Sequence, residues 1–327
     1  MKAFIHAKGK LAIKEMEVPV AGKGEVVVSL KVAGLNRRDI AIPKRRGDEG
    51  EALILGSDGA GVIASVGEGV TNVQAGDAVI INPALNWERN SDAPPQGFDI
   101  LGMPDHGTLA EKIVIAADQV EKKPVHLSWE EAGVLALSAL TGYRALFTKG
   151  NIKESDTVFI PGAGSGVATY LISFAKSVGA RVIVTSRSET KRKQAKELGA
   201  DIVLDTNSDW PEELKEETID LIIDSVGQAT FNRSLEVLKR GGTIVVFGAT
   251  TDDIVDLNLR EFFYGQYKLL GSTMGSRQEL YAMMELIENH KIRPVVDRTF
   301  DLEQTQKAMD YLEQGNQFGK VAIQISE

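Results

Sequence analysis

The 327-residue chain contains no cysteine. That one absence excludes disulfides, thiol nucleophiles and thiolate metal ligands together. Histidine is scarce too: the four, His6, His106, His126 and His290, are scattered and read as ordinary surface or core residues. No apolar run approaches the ~20 residues that a membrane-spanning helix needs. The opening MKAFIHAKGKLAIKEMEV lacks the apolar stretch of a secretion signal and reads as a strand pair. There is no long basic block, and the formal net charge is −9, which argues against nucleic acid or an anionic membrane as partner. Repeats and low-complexity tracts are missing as well. What remains is a globular chain expected in the cytoplasm.

The apolar fraction, 43%, and the charged fraction, 25%, are ordinary, and the length suggests roughly two domains. The first part is rich in glycine and in short β-like runs: VVVSLKVAGL, GVIASVG, DAVIINP and EKIVIAA, separated by turn signals such as GEG and QAGD. Between Ala84 and Gly107 runs a polar, proline-containing stretch. Loops that long inside a domain are usually functional or mobile. From Ser155 the rhythm changes. Apolar runs recur near Val158, Val182, Ile202, Leu221, Ile244 and Leu269, with helical patterns after the first, after Ser225 and, briefly, at Pro211–Glu217. Such alternation predicts βαβ units and a parallel sheet. Leu171, Phe174, Ala175 and Val178 fall on one helical face, and Gly179 supplies the stop. The last ~50 residues predict two helices and a strand, VAIQI, with Leu280, Met283, Met284 and Ile287 as a buried stripe.

Gly162, Gly164 and Gly166 make a low-profile turn after the run VFI and before the first of these helices. A dinucleotide pyrophosphate needs such a turn, with backbone N–H groups at a helix start and no side chain in the way. The strict G-x-G-x-x-G is absent, because position 167 is valine and position 169 threonine; Ala168 is the small residue that lets helix and sheet approach. An NAD site places an acidic residue about 20 residues further on, for the ribose hydroxyls. Here the second run ends in Thr185-Ser186-Arg187-Ser188, followed by Lys191 and Arg192. A serine and cations suit a 2′-phosphate, which an aspartate would repel. NADP(H) is the expected cofactor.

The stretch GSDGAGVIASVGEGVTNVQAGDAV resembles the signature region of the medium-chain dehydrogenase/reductases, the zinc alcohol dehydrogenase superfamily. AGLNRRD, LSALTGYRAL, the GAGSGVA turn and the closing FGKVAI follow in the order of that family, so the resemblance spans nearly the whole chain. It implies an α/β protein: a GroES-like, β-rich catalytic domain from residues 1–124 and 275–327, and a Rossmann-type doubly wound parallel sheet in residues 125–274. The active site is implied in the cleft between them. In zinc members a cysteine stands at the place of Asn36, a histidine at that of Ser57 in Gly56-Ser57-Asp58, and a third ligand near Leu137. None of these residues suits a zinc site of the usual kind, and the structural zinc of the family needs four cysteines. The resemblance is therefore to the zinc-less branch of quinone oxidoreductases and enone reductases, with no metal site expected.

By that resemblance, main-chain groups of Gly164, Ser165, Gly166 and Val167 cradle the pyrophosphate, and Thr141 packs against the nicotinamide. Gly227 and Gly248–Ala249 lie where parallel strands end, which is where open α/β sheets bind ligands. Met274 and Lys320 are implied near the cofactor. Asn36 is the candidate for polarising a substrate carbonyl, its amide donating a hydrogen bond. Arg37, Arg38 and Asp39 read as a structural ion-pair set, and Tyr143 as helix packing. The implied activity is hydride transfer from NADPH to a small quinone, enone or enal, without zinc. Two alternatives stay open: a zinc-less carbonyl reductase or alcohol dehydrogenase, and a non-catalytic NADPH-binding protein. A homodimer is expected.

Overall fold

The computed structural model describes all residues except Glu49 and Glu327, and they divide into two compact units. The first comprises Met1–Ser138 and the chain from Gly275 on; the second is Ala139–Met274. Residues 125–138, which the sequence assigns to the dinucleotide-binding domain, lie in the first unit.

The first unit is built around the long strand Glu25–Leu35. Its apolar run is buried along almost its whole length, since neighbouring elements cover it on both faces. It pairs antiparallel with Asp58–Val66, with Lys112–Ala116 and with the last strand, Lys320–Gln324. The registers decide what meets at its end. Val321 faces Leu35 and Asp58 faces Gly34, so Asn36, Asp58 and Lys320 converge where three strands start or stop. A short helix, Trp129–Gly133, packs there, and the next helix, Ala136–Tyr143, carries Ser138 to the same place. The short helix starts on a capping box: Glu131 N–H donates to Ser128 Oγ, and Ser128 N–H to the Glu131 carboxylate. Glycine permits its close approach, because a Cβ on Gly34 would stand 2.8 Å from the Gly133 carbonyl oxygen.

The N-terminal strand pair forms as expected, Lys2–Ala7 against Lys10–Glu15. The C-terminal segment adds one strand that the sequence did not suggest, Val296–Asp301, parallel to Lys320–Gln324. Its two expected helices are present, Arg277–His290 and Thr305–Gln314. Leu280, Met283 and Ile287 are fully buried, while Met284 is half-buried. The stretch from Ala84 to Gly107 carries structure of its own. Ala84–Leu85 pairs with Asp99–Ile100, and buried Trp87 packs edge-to-face on Phe98 at 5.2 Å. The start of helix Arg277–His290 holds it: Arg277 N–H donates to the Trp87 carbonyl at 2.8 Å.

The second unit is a six-stranded parallel sheet. In chain order its strands are β1 (Thr157–Ile160), β2 (Arg181–Ser186), β3 (Ile202–Asp205), β4 (Ile219–Asp224), β5 (Leu238–Val246) and β6 (Lys268–Gly271). The spatial order β3-β2-β1-β4-β5-β6 reverses at β1, which makes the carboxyl ends of β1 and β4 the switch point where ligands bind in such sheets. Each strand coincides with an apolar run of the sequence. The helix Gly166–Ser177 buries Leu171, Phe174 and Ala175 completely. At about 1.5–3 kcal/mol for each large apolar side chain, this face is enough to seat the helix on the sheet. It ends at Val178, with Gly179 beyond it at φ +83°. Among the described residues no helix is long and apolar enough to cross a membrane.

Candidate active site

At the strand ends of the first unit lies a buried polar cluster centred on Lys320, which is only 3% exposed. Its Nζ donates to Asn36 Oδ1 at 2.5 Å, to Ser138 Oγ at 3.0 Å and to Asp58 Oδ2 at 3.1 Å. An ammonium group has three protons, and three acceptors surround it. Ser138 Oγ donates in turn to Asn36 Oδ1 at 3.2 Å, and Asn36 Nδ2 donates to Asp58 Oδ2 at 3.0 Å. With two donors on its oxygen and a carboxylate on its nitrogen, the Asn36 amide has only one orientation that satisfies the network. Asp58 Oδ1 also accepts from Leu137 N–H at 2.6 Å.

A second layer holds this cluster. Asp39 Oδ2 accepts from Asn36 N–H at 2.7 Å, while Asp39 Oδ1 is buried without a hydrogen bond. Burial pushes the Asp39 carboxyl up to about 6, against the opposing pull of Asn36 N–H, Arg38 and Lys320; Asp58 adds to the rise. Arg38 donates to Ser57 Oγ and to the Leu101 carbonyl, both at 2.6 Å. Arg38 and Asp39 therefore do not form the ion-pair set expected from sequence. Arg38 ties the Ala84–Gly107 stretch to Ser57, and Asp39 closes the helix start beside Asn36, because the fold places a different partner against each.

The Asp39 carboxyl titrates higher in the folded protein than in the unfolded chain, so the folded state keeps its proton longer. Unfolding then becomes easier as pH rises from about 4 to about 6, and levels off above that. The gap from 3.8 to about 6 corresponds to roughly 3 kcal/mol. We expect Asp39→Asn to remove this slope. Chemical denaturation of both proteins at pH 4 and pH 7 checks it; a stability difference that does not change with pH contradicts it.

The positions where zinc members hold their metal carry Asn36, Ser57 and Leu137, that is, an amide, a hydroxyl and a hydrocarbon. Among the described residues no group of three or more His, Asp or Glu side chains is placed to hold a metal ion. Asp58, the carboxylate on the Asn36 amide, is already bound to an ammonium. This donor set does not fit zinc.

The dinucleotide candidates lie in the second unit. Gly162 adopts φ +81°, and the chain turns back so that Ala163 N–H bonds the Thr185 carbonyl at the end of β2. Ser165 caps the helix, its Oγ accepting from Ala168 N–H at 3.1 Å. Gly166 and Val167 form the first turn, where backbone N–H groups have no partner within the helix. Lys191 lies across Gly164, and a Cβ there would stand 2.7 Å from its Cδ. Ser186 is nearly buried at the end of β2, its Oγ accepting from Ser188 N–H at 3.2 Å. Arg187 is exposed. Arg192, by contrast, is engaged with the Ser186 carbonyl at 2.7 Å and with Asp205 Oδ2 at 2.8 Å.

Gly227, Gly248 and Ala249 gather beyond β4 and β5. Gly227 sits at φ +88°, where a Cβ would stand 2.7 Å from the Asp252 carbonyl oxygen and 3.0 Å from Ala249 Cβ. Buried Asp224 shapes this turn by accepting from Val226 and Gly227 N–H and from Thr230 Oγ1; burial raises its carboxyl. Thr141 Oγ1 donates to Met274 Sδ at 3.7 Å, so two residues singled out separately are neighbours. Tyr143 stacks on Phe147 at 4.7 Å, which fits a packing role. His106 Nδ1 accepts from Ile54 N–H.

Lys320, implied near the cofactor, is the buried centre of the first unit's cluster. Asp58 and Ser138 were not candidates. The one available signal was a lysine at the head of the apolar strand VAIQI, a place that demands a carboxylate partner.

The Alcohol dehydrogenase GroES-like domain model matches residues 22–125, and the Zinc-binding dehydrogenase model matches residues 166–289. The zinc-type alcohol dehydrogenase-like protein YogA of Leptosphaeria maculans is 32% identical, over 96% of this chain and 94% of its own. Crotonyl-CoA reductase of Streptomyces collinus is 29% identical, over 95% of this chain and 80% of its own. A solved NAD-dependent alcohol dehydrogenase superposes with a TM-score of 0.93 at 34% identity, over the full length of both chains.

Proposed function

The chain belongs to the medium-chain dehydrogenase/reductase superfamily, and on that premise we propose that it is an NADPH-dependent reductase of quinones or α,β-unsaturated carbonyl compounds that works without zinc. The observation that carries this reading is the Lys320 cluster: where zinc members hold a metal, this chain holds an ammonium clamped by Asn36, Asp58 and Ser138. Without a Lewis acid, oxidation of a simple alcohol loses its main means of stabilising an alkoxide. Conjugate reduction asks less of the protein. Bound in the second unit, the reduced nicotinamide supplies hydride. As hydride reaches the β-carbon of the acceptor, the π electrons move onto the carbonyl oxygen. The second Nδ2–H of Asn36, the one not given to Asp58, donates to that oxygen. The α-carbon then takes a proton from water.

A relative named crotonyl-CoA reductase supports conjugated acceptors, and enoyl thioesters belong to that class. The test is NADPH oxidation against quinones, enals, enones and enoyl thioesters, before and after treatment with a chelator. We expect turnover that the chelator leaves unchanged. Alcohol oxidation that chelation abolishes, with none of these acceptors reduced, overturns the reading. The 34% identical alcohol dehydrogenase favours one second reading, a zinc-independent carbonyl reductase; faster turnover of saturated ketones than of enones would select it.

The same reading makes the protein a homodimer through the open edge of β6. Leu269 on that strand is exposed, and so are Leu259, Phe263 and Tyr264 on the helix before it. An unpaired edge flanked by apolar side chains invites a second copy. Sedimentation velocity is expected to give a dimer for the native chain and a monomer for Leu269→Lys; a native monomer rules the dimer out.

A further inference from the structure

We propose that Lys320 is the resident cation of this site and acts on the acceptor through Asn36, as a positioning residue that polarises the amide. The inference rests on the reductase reading above and deepens it. Three features carry it. First, Lys320 is not available to substrate: all three of its protons are given to Asn36 Oδ1, Asp58 Oδ2 and Ser138 Oγ. Second, two of the donors in the cluster, Lys320 Nζ and Ser138 Oγ, converge on one atom, Asn36 Oδ1. Charge drawn toward an amide oxygen strengthens the double-bond character of its C–N bond and makes its N–H protons better donors. Third, Asn36 keeps one Nδ2–H beyond the bond to Asp58, and the residue is 7% exposed while Ser57 and Asp58 are completely buried. The charge is thus buried and fixed, and its effect leaves the cluster by one N–H.

Asp58 completes the arrangement. Its carboxylate balances the lysine, which keeps an ammonium tolerable in the interior, and it orients Asn36 by accepting the other Nδ2–H. Leu137 N–H on Asp58 Oδ1 fixes the carboxylate in turn. An amide whose oxygen accepts from a cation is polarised along the chain of bonds, and its own donated bond is strengthened by about 10–30%. The effect needs no metal and no water.

The experiment uses the full chain. Replacing Lys320 alone leaves Asp58 unpaired and risks misfolding, so the main variant is Lys320→Met/Asp58→Asn, which removes both charges and keeps an acceptor for Leu137. Lys320→Arg is the conservative control, restoring a cation. With an acceptor that the native protein reduces, we expect kcat of the double variant to fall roughly ten- to hundredfold, with KM and NADPH affinity little changed. The loss should be largest for the least electron-poor acceptors, and Lys320→Arg should recover part of it. A second readout needs no turnover. In protein labelled with nitrogen-15 at asparagine, the Asn36 side-chain amide signal, assigned by its loss in Asn36→Ser, should move upfield in the double variant. A folded double variant with native kcat, or an Asn36 signal that stays in place, overturns the proposal. A native protein that reduces no acceptor, yet shows the amide shift, overturns the reductase reading and leaves the polarised amide standing.

Discussion

Replacing Asn36 by aspartate is expected to lower kcat by roughly 10²–10³-fold, the usual cost of removing one preorganised oxyanion donor. The substitution is nearly isosteric. One carboxylate oxygen can still accept from Lys320 and Ser138, as Oδ1 does now at 2.5 and 3.2 Å. What is lost is the Nδ2 donor, both toward Asp58 and toward the acceptor's oxygen. In its place stands a second carboxylate beside Asp58, which opposes negative charge developing on the substrate. The effect belongs in kcat, because the donor matters most where charge has built up, and in conjugate reduction that is after hydride has begun to move. NADPH affinity should stay native, since the glycine turn, Ser186 and Arg187 all lie in the other unit. Steady-state kinetics with a quinone and an enone, together with a fluorescence titration of NADPH, separate these quantities. A kcat within about threefold of native would remove Asn36 from the mechanism and leave it as the structural end of its strand.

How far the sequence itself discloses this site depends on how local each feature is. The six strands of the parallel sheet, the helix Gly166–Ser177 and the turn from Gly162 to Gly166 are written in contiguous residues, so period and punctuation suffice to find them. The family resemblance supplies the division of the chain, although residues 125–138 fall on the other side of it. That segment holds a short capped helix and the start of the next, Ala136–Tyr143, with no glycine- or proline-rich linker to mark a boundary. Asn36 is legible because it stands where a ligand is missing. Lys320 is not. Its partners are 284, 262 and 182 residues away, and only strand register brings them together. A lysine in a row of apolar residues has two readings, a solvated end or a buried charge. Sequence alone does not say which, because the answer lies in Val321 facing Leu35 and Asp58 facing Gly34. Arg38 and Asp39 make the same point on a smaller scale. Adjacent opposite charges suggest each other as partners, yet each is claimed by a group that the fold delivers: Ser57 and the Leu101 carbonyl for one, the Asn36 N–H for the other.

Ser186→Asp is expected to reverse the choice of dinucleotide. At the end of β2 the native chain presents a small hydroxyl and, next to it, the exposed guanidinium of Arg187. The neighbouring Arg192 does not add to this field in full, because Asp205 Oδ2 holds it at 2.8 Å. On the NADPH reading proposed above, preference for a 2′-phosphate would rest on Arg187 and on Lys191, which lies over the glycine turn. A phosphate there gains charge-assisted hydrogen bonds of about 1.5–3 kcal/mol each. An aspartate at 186 opposes them with a like charge and offers its carboxylate to the ribose hydroxyls instead, the contact that NAD sites use. The two effects have the same sign, so the ratio of NADPH to NADH affinity should fall by roughly 10³-fold, mostly through loss of NADPH binding. Arg187→Ala should weaken NADPH alone, roughly ten- to hundredfold, and leave NADH unchanged. On that reading, added salt should erode the preference, since Arg187 is exposed and its attraction for a phosphate is screened. Calorimetric titration of both dinucleotides into the three proteins measures all of this. Should the native chain already bind NADH as tightly as NADPH, neither Ser186 nor Arg187 reads a phosphate, and Asp205, freed from Arg192, becomes the acidic group that meets the ribose.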